Sequence, residues 1–318
     1  MRQVGLATFL ALTMSAAGAW ATTYSEETIR CPVGGESFEV SSVSSYTTLG
    51  QRPDGKPYGT LPLPEPLHEC PGNKLVIYRV FTPDEVKKLE PLIASESYRD
   101  MVASETSYYR AAWLDRQLKP YDNSWAWILL RATWQADHRP TLKTRYQTEF
   151  VAAAAATPAK PDDLVWLVLQ LRAVNALREL GRFDEAVALL RGLPRDALRA
   201  KPGETERDAR NRASWTEFMA KLERAVARRD ASIEPLDLID TSTATGKCVD
   251  MTPAERTASI NGFCTQPEMA KRIDETIGNR ARVCLERALR NPKVWSDDFC
   301  GNPDVKERAR TLPRPSAD

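Results

Sequence analysis

Six cysteines constrain this chain more than any other feature. Cys31 and Cys70 lie near one end, and Cys248, Cys264, Cys284 and Cys300 near the other. Whether they pair depends on the compartment, and the start of the chain speaks to that. Met1 to Ala21 carries Arg2, an apolar run from Val4 to Ala19 and the small-x-small ending Ala19-Trp20-Ala21, the pattern of a cleavable secretory signal. The polar Thr22-Thr23-Tyr24-Ser25-Glu26-Glu27 follows at once, and the apolar run is too short to favour a membrane span. No cysteine stands at the expected cleavage point, so a lipid anchor is not expected, and no other stretch is long and apolar enough to cross a bilayer. A periplasmic or secreted protein with an even cysteine count reads as three disulfides.

The second group repeats. Cys248-Val249-Asp250 leads to Phe263-Cys264-Thr265-Gln266-Pro267, and Cys284-Leu285-Glu286 leads to Phe299-Cys300-Gly301-Asn302-Pro303, with each cysteine 36 positions after its counterpart (284 − 248 and 300 − 264). This is a tandem duplication. Symmetry favours Cys248 with Cys264 and Cys284 with Cys300, although four cysteines allow three pairings. Cys264-x-x-Pro267 and its echo at Cys300 resemble bacterial lysozyme-inhibitor modules, which implies an action on cell-wall enzymes.

Between the groups the pattern is helical. From Asp163 to Pro194, Leu164, Leu167, Val168, Leu171, Val174, Leu177 and Leu180 recur at threes and fours, predicting one buried stripe. Gly181 closes that helix, and a second runs from Asp184 to just before Pro194 with Ala186, Val187, Leu189 and Leu190 inward. The run Leu180-Gly181-Arg182-Phe183-Asp184-Glu185-Ala186 with Leu190 resembles the turn and second helix of a tetratricopeptide repeat. In such a unit the first helix lines the concave face, so the resemblance makes Asn175 and Arg178 the candidate partner contacts. Thr82-Pro83-Asp84-Glu85 is a helix start. Helix is expected from there to about Asp230, broken near Pro120, Pro140, 157–161, Gly181 and 194–203. Tyr108, Tyr109, Trp113, Trp125, Trp127 and Trp134 are expected to fill the spaces between helices.

The head is different in kind. Residues 22–81 are rich in Ser, Thr, Gly and Pro, with short strands expected at Glu36 to Tyr46 and Leu75 to Phe81, and turn or extended structure between. Cys31-Pro32-Val33-Gly34-Gly35-Glu36-Ser37-Phe38 and His68-Glu69-Cys70-Pro71-Gly72 have the outline of two zinc-ribbon knuckles. A ribbon needs two thiolates per knuckle, and Gly34 and Gly72 or Asn73 occupy the second places. A Cys31 to Cys70 bridge is therefore expected, with a metal site of Cys31, Cys70 and His68 as the alternative. On Cys31-Pro32-Val33, Gly35, Phe38, Cys70-Pro71 and the Gly181 turn, residues 29–195 resemble uncharacterised bacterial proteins that join a CPxCG zinc-ribbon head to tetratricopeptide-like helices. That resemblance implies architecture and no activity.

The expected fold class is mainly α: a signal peptide at 1–21, a small bridged β head at 22–81, a tetratricopeptide-like domain at 82–232 and a disulfide-stapled helical tail at 245–312. Removing the signal takes Arg2 from 44 basic residues, leaving 43 against 43 acidic, and a neutral chain is not expected to bind nucleic acid. The basic run Arg207, Arg210, Arg212, Lys221, Arg224, Arg228 and Arg229 is interleaved with Glu204, Glu206, Asp208, Glu217, Glu223 and Asp230, and reads as a solvated, salt-bridged helix face. With only His68 and His138, and no HExxH, GxSxG, phosphate-loop or dinucleotide pattern, neither enzyme nor cofactor is expected. The expectation is an envelope protein that holds a protein or peptide partner. Its alternatives are an inhibitor-like protein acting through the tail, and a metal-responsive head.

Overall fold

The computed structural model describes residues 22–119, 124–252 and 255–313. The signal-like segment and the expected break at Pro120 lie outside them. Among the described residues the chain is mainly helical, with twelve α-helices behind a head of three two-stranded antiparallel ribbons. None of these helices is long and apolar enough to cross a membrane.

β1 (Thr23–Arg30) pairs with β2 (Ser37–Ser45), β3 (Thr48–Gln51) with β4 (Pro57–Gly59), and β5 (His68–Glu69) with β6 (Val76–Ile77). The expected strand from Glu36 is β2, while the one from Leu75 shortens to β6; β1, β3, β4 and β5 were not anticipated. The two knuckle outlines are real turns with one shared pattern. Cys31 N donates to Glu36 O at 2.7 Å and Gly35 N to Cys31 O at 3.2 Å; Cys70 N donates to Leu75 O at 2.9 Å and Lys74 N to Cys70 O at 3.0 Å. A disulfide joins Cys31 to Cys70, with Cα atoms 5.7 Å apart, and Asn73 Nδ2 adds a hydrogen bond to Val33 O at 2.9 Å. The bridge is buried beside Leu75, Val76, Leu89, Tyr98 and Leu114, so it anchors the head on the first helices.

Those helices are α1 (Pro83–Ala94), α2 (Glu96–Ser104), α3 (Ser107–Leu118), α4 (Ser124–Gln135), α5 (Pro140–Ala155), α6 (Leu164–Glu179), α7 (Phe183–Gly192) and α8 (Glu206–Ala227). The Thr82 start is a full capping box: Thr82 Oγ1 accepts from Glu85 N, and the Glu85 carboxylate accepts from Thr82 N at 2.9 Å. The expected break near Pro140 lies at 136–139, between α4 and α5, and Pro140 begins α5, since a first-turn residue has no intrahelical partner for its N–H. The unforeseen breaks at Ser95 and Thr106 are hydroxyl caps, accepting from Tyr98 N and Tyr109 N. The six aromatics do pack between or against helices, with Tyr109 stacked on Tyr146 at 4.5 Å.

Gly181 ends α6 at φ +72°, as its place after the last periodic residue requires. The rest of α6 departs from expectation. In place of one buried stripe, every residue from Leu169 to Arg178 is buried. Leu169, Ala173 and Ala176 face α4 and α5, while Leu167, Leu171 and Val174 face α7 and α8. The remaining polar face is covered by the head: the β3–β4 turn lies on it, with Arg172 Nη1 donating to Pro53 O. Burial lowers the Arg172 pKa to about 10, against the pull of Asp54, and the guanidinium lies over the rings of Trp215 and Phe218 of α8 at 5.0 and 5.2 Å. The far side of the same hairpin reaches the tail, where Tyr58 packs with Leu236, Ile239 and Met269.

The tail holds α9 (Thr241–Asp250), α10 (Ala258–Cys264), α11 (Pro267–Arg290) and α12 (Pro303–Thr311). Disulfides join Cys248 to Cys264 and Cys284 to Cys300, as the duplication suggests. The units share α11: its first half is the Pro267 helix of one unit, and its second half is the cysteine helix of the next. α11 and α12 both start on their prolines, 36 positions apart (303 − 267).

Gly55 tests the inserted turn. Its φ is +92°, and a Cβ there would lie 3.1 Å from the Arg172 guanidinium. Gly55→Ala is expected to lower the urea unfolding free energy by about 1–3 kcal/mol, whereas Gly203→Ala, equally strained at φ +73° with nothing nearby, should cost less.

Candidate functional site

Asn175 and Arg178, expected on an open concave face, are fully buried at 0 % exposure. Asn175 Nδ2 donates to Glu179 Oε1 at 2.8 Å. Arg178 donates to Asn175 Oδ1 and, through Nη1, to the carbonyls of Asp230 and Ser232 at 2.6 and 2.7 Å. The face where a repeat hairpin would receive a ligand is thus filled by the chain's own segments.

The filling is charged. Asp137, in the α4–α5 turn, accepts from Arg52 Nη1 at 2.8 Å, Lys56 Nζ at 2.6 Å and Lys143 Nζ at 2.8 Å. Arg52 also grips Asp54 across the turn, and Glu179 accepts from Gln147 Nε2 at 2.7 Å. Burial opposes ionisation of Asp137, but the hydrogen bonds from Arg52, Lys143 and Lys56 outweigh it and hold the carboxyl well below the usual range. Glu179 goes the other way, pushed up by burial and by the charge of Asp54. The cluster's acids and cations are paired with one another, so its chemistry is that of a lock between head and helices.

The head's other candidates are accounted for. Cys31 and Cys70 are oxidised to each other and present no thiolate. His68 Nε2 meets Ser42 Oγ at 3.2 Å, and no three His, Cys, Asp or Glu side chains gather as a metal set among the described residues.

An open cleft of about 540 Å³ lies between α8 and the tail, within the usual range for ligand sites. Lys221, Arg224 and Arg228 line one wall, spaced three and four apart and so on one face of α8. Leu236, Ile239, Ile260, Phe263 and Met269 form the apolar side. Two of the cations are engaged: Lys221 with Glu217 at 2.7 Å, and Arg228 with both Asp237 oxygens at 2.9 and 3.1 Å. The exposed Arg224 side chain makes no hydrogen bond or ion pair among the described residues. The reading of this run as a salt-bridged face holds for Arg210, Arg212, Lys221, Arg228 and Arg229 and fails at Arg207 and Arg224, which pair with no acid among the described residues. For Arg224 the sequence carried a sign of it: positions 220, 221, 227 and 228, its helical neighbours, hold no acid. The apolar wall was not legible, since it needs the tail folded against α8.

This arrangement suits an anionic group beside apolar side chains. Comparison of the chain with known protein families, with curated proteins and with solved structures gave no match.

The lock predicts a pH dependence. The folded pKa of Asp137 is depressed, so its stabilisation is complete above the unfolded value of about 3.9 and is lost as pH falls below it. Asp137→Asn should therefore lower stability at pH 7 by about 3 kcal/mol, because the buried Arg52 and Lys143 and the half-buried Lys56 lose the acid they share. The difference from wild type in urea midpoints should shrink toward pH 3.

Proposed function

We propose that this protein is an exported, disulfide-stapled binding protein that holds an acidic peptide segment with apolar flanks, presented by a protein partner in the cell envelope. The cleft between α8 and the tail is its binding site. The observation that carries this is Arg224, which makes no hydrogen bond or ion pair among the described residues and shares only the charge of Glu217 with Lys221, on a row of cations that faces an apolar wall. A carboxylate there gains a charge-assisted hydrogen bond, and leucine- or phenylalanine-sized side chains beside it leave water against Ile260 and Phe263. The secretory pattern of Met1 to Ala21 and the three disulfides support export. The two cleft acids that could serve as proton carriers, Asp230 and Asp237, are both paired with Arg228, which favours binding over catalysis. The knuckle turns and the Gly181 turn support kinship with the ribbon-headed, tetratricopeptide-like proteins.

Deleting the tail would be a poor test, because Tyr58 of the head hairpin packs in the tail core. Point reversals are cleaner. A fluorescein-labelled peptide with two adjacent glutamates between leucine and phenylalanine should bind saturably, and more weakly as salt rises. Arg224→Glu should weaken it by about tenfold or more, equivalent to about 1.4 kcal/mol. Arg210→Glu, an equal charge change on the exposed first half of α8, should leave it unchanged. Equal losses in both variants would show a general charge effect and overturn the site.

A further inference from the structure

The duplicated tail identifies a second surface by comparison with itself. The two units correspond at an offset of 36, so Leu285 stands for Val249 and Arg310 for Asp274. On the first unit these two positions receive the second: Asn302 Nδ2 donates to Val249 O at 2.9 Å, and Arg308 of α12 pairs with Asp274. On the second unit the same two positions line an open cleft of about 700 Å³, together with Leu289, Trp295, Ala309 and Leu312.

Two features separate this surface from ordinary solvent-facing helix. Leu289 is 54 % exposed, and apolar side chains wall the cleft. Its charge is also inverted. Where the first unit offers Asp274 to an arginine, the second offers Arg310, with Lys306 beside it and no acid in the lining. Among the described residues Arg310 pairs only with Glu307 on its own helix at 2.7 Å, both strongly exposed, and such a pair is readily exchanged.

We propose that the cleft over α11 and α12 docks an amphipathic helix of a protein partner, seated as a third unit would sit, with an acidic residue where α12 carries Arg308. The helix lays its apolar face on Leu285, Leu289, Trp295 and Leu312, and its carboxylate meets Arg310. This surface shares no residue with the α8 cleft, so either site stands or falls alone.

The test uses the full exported chain and two helix-stapled, labelled peptides spanning residues 301–313, one with the native sequence and one with Arg308→Glu. Fluorescence anisotropy should show the Arg308→Glu peptide binding saturably and about tenfold or more tighter than the native one. Arg310→Glu in the protein should reverse the preference, and Leu289→Glu should abolish binding of both. Both changes are on exposed side chains, and unchanged melting would show that the fold is kept. Equal binding of the two peptides, no saturable binding, or indifference to Leu289→Glu would overturn the proposal. So would self-association of the chain removed by Leu289→Glu, which would assign the face to a second copy.

Discussion

Everything in this structure leans on one buried contact: the turn from Arg52 to Lys56 pressed against the polar face of α6. Charged groups leave water at a cost of several kcal/mol each unless they find partners, and here each partner lies in a different part of the chain. Arg172 comes from α6, Asp137 and Lys143 from the α4–α5 hairpin, and the aromatic pair around Arg172 from α8. No one of these groups is comfortable buried without the others. The head, the first helices and α8 are therefore held in one arrangement, and Tyr58, on the same hairpin, extends it to the tail.

Covalent links act where that contact does not reach. The Cys31 to Cys70 bridge closes a separation of 39 residues and each tail bridge one of 16. In the chain-entropy account these contribute about 4 and about 3 kcal/mol. The head ribbons have little core of their own, and the tail cores are small, built around the bridges themselves. The middle has the larger clusters and no disulfide. Bridges and core are thus complementary, as expected for a disulfide-bonded chain whose parts differ in size. Because Leu238 packs with Met219 and Leu222 of α8 while Leu236 and Ile239 beside it pack in the tail core, the cleft beside Arg224 has a fixed apolar wall.

What the sequence disclosed follows from the range of each signal. The tail pairing was legible because the spacing of Cys248, Cys264, Cys284 and Cys300 states it twice. Gly181, Asp163 and Thr82 act on their nearest neighbours, and the elements they bound came out as expected. Asn175 and Arg178 did not, because a polar face on a helix reads as solvated whatever covers it. The turn that covers this face bonds to Arg172 from 119 positions away. The strands β3 and β4 were missed for the same reason: Arg52 to Gly55 signals a turn, but nothing local says where the turn is inserted.

The most direct measurement is hydrogen exchange by mass spectrometry on the wild-type chain and on Arg172→Ala. If the inserted turn holds the parts together, backbone amides of 50–59 in the wild type exchange as slowly as those of α6. In the variant both segments, with the tail around Tyr58, should lose protection together. Rapid exchange of 50–59 in the wild type, or a loss confined to the turn, would mean that the domains stand without it.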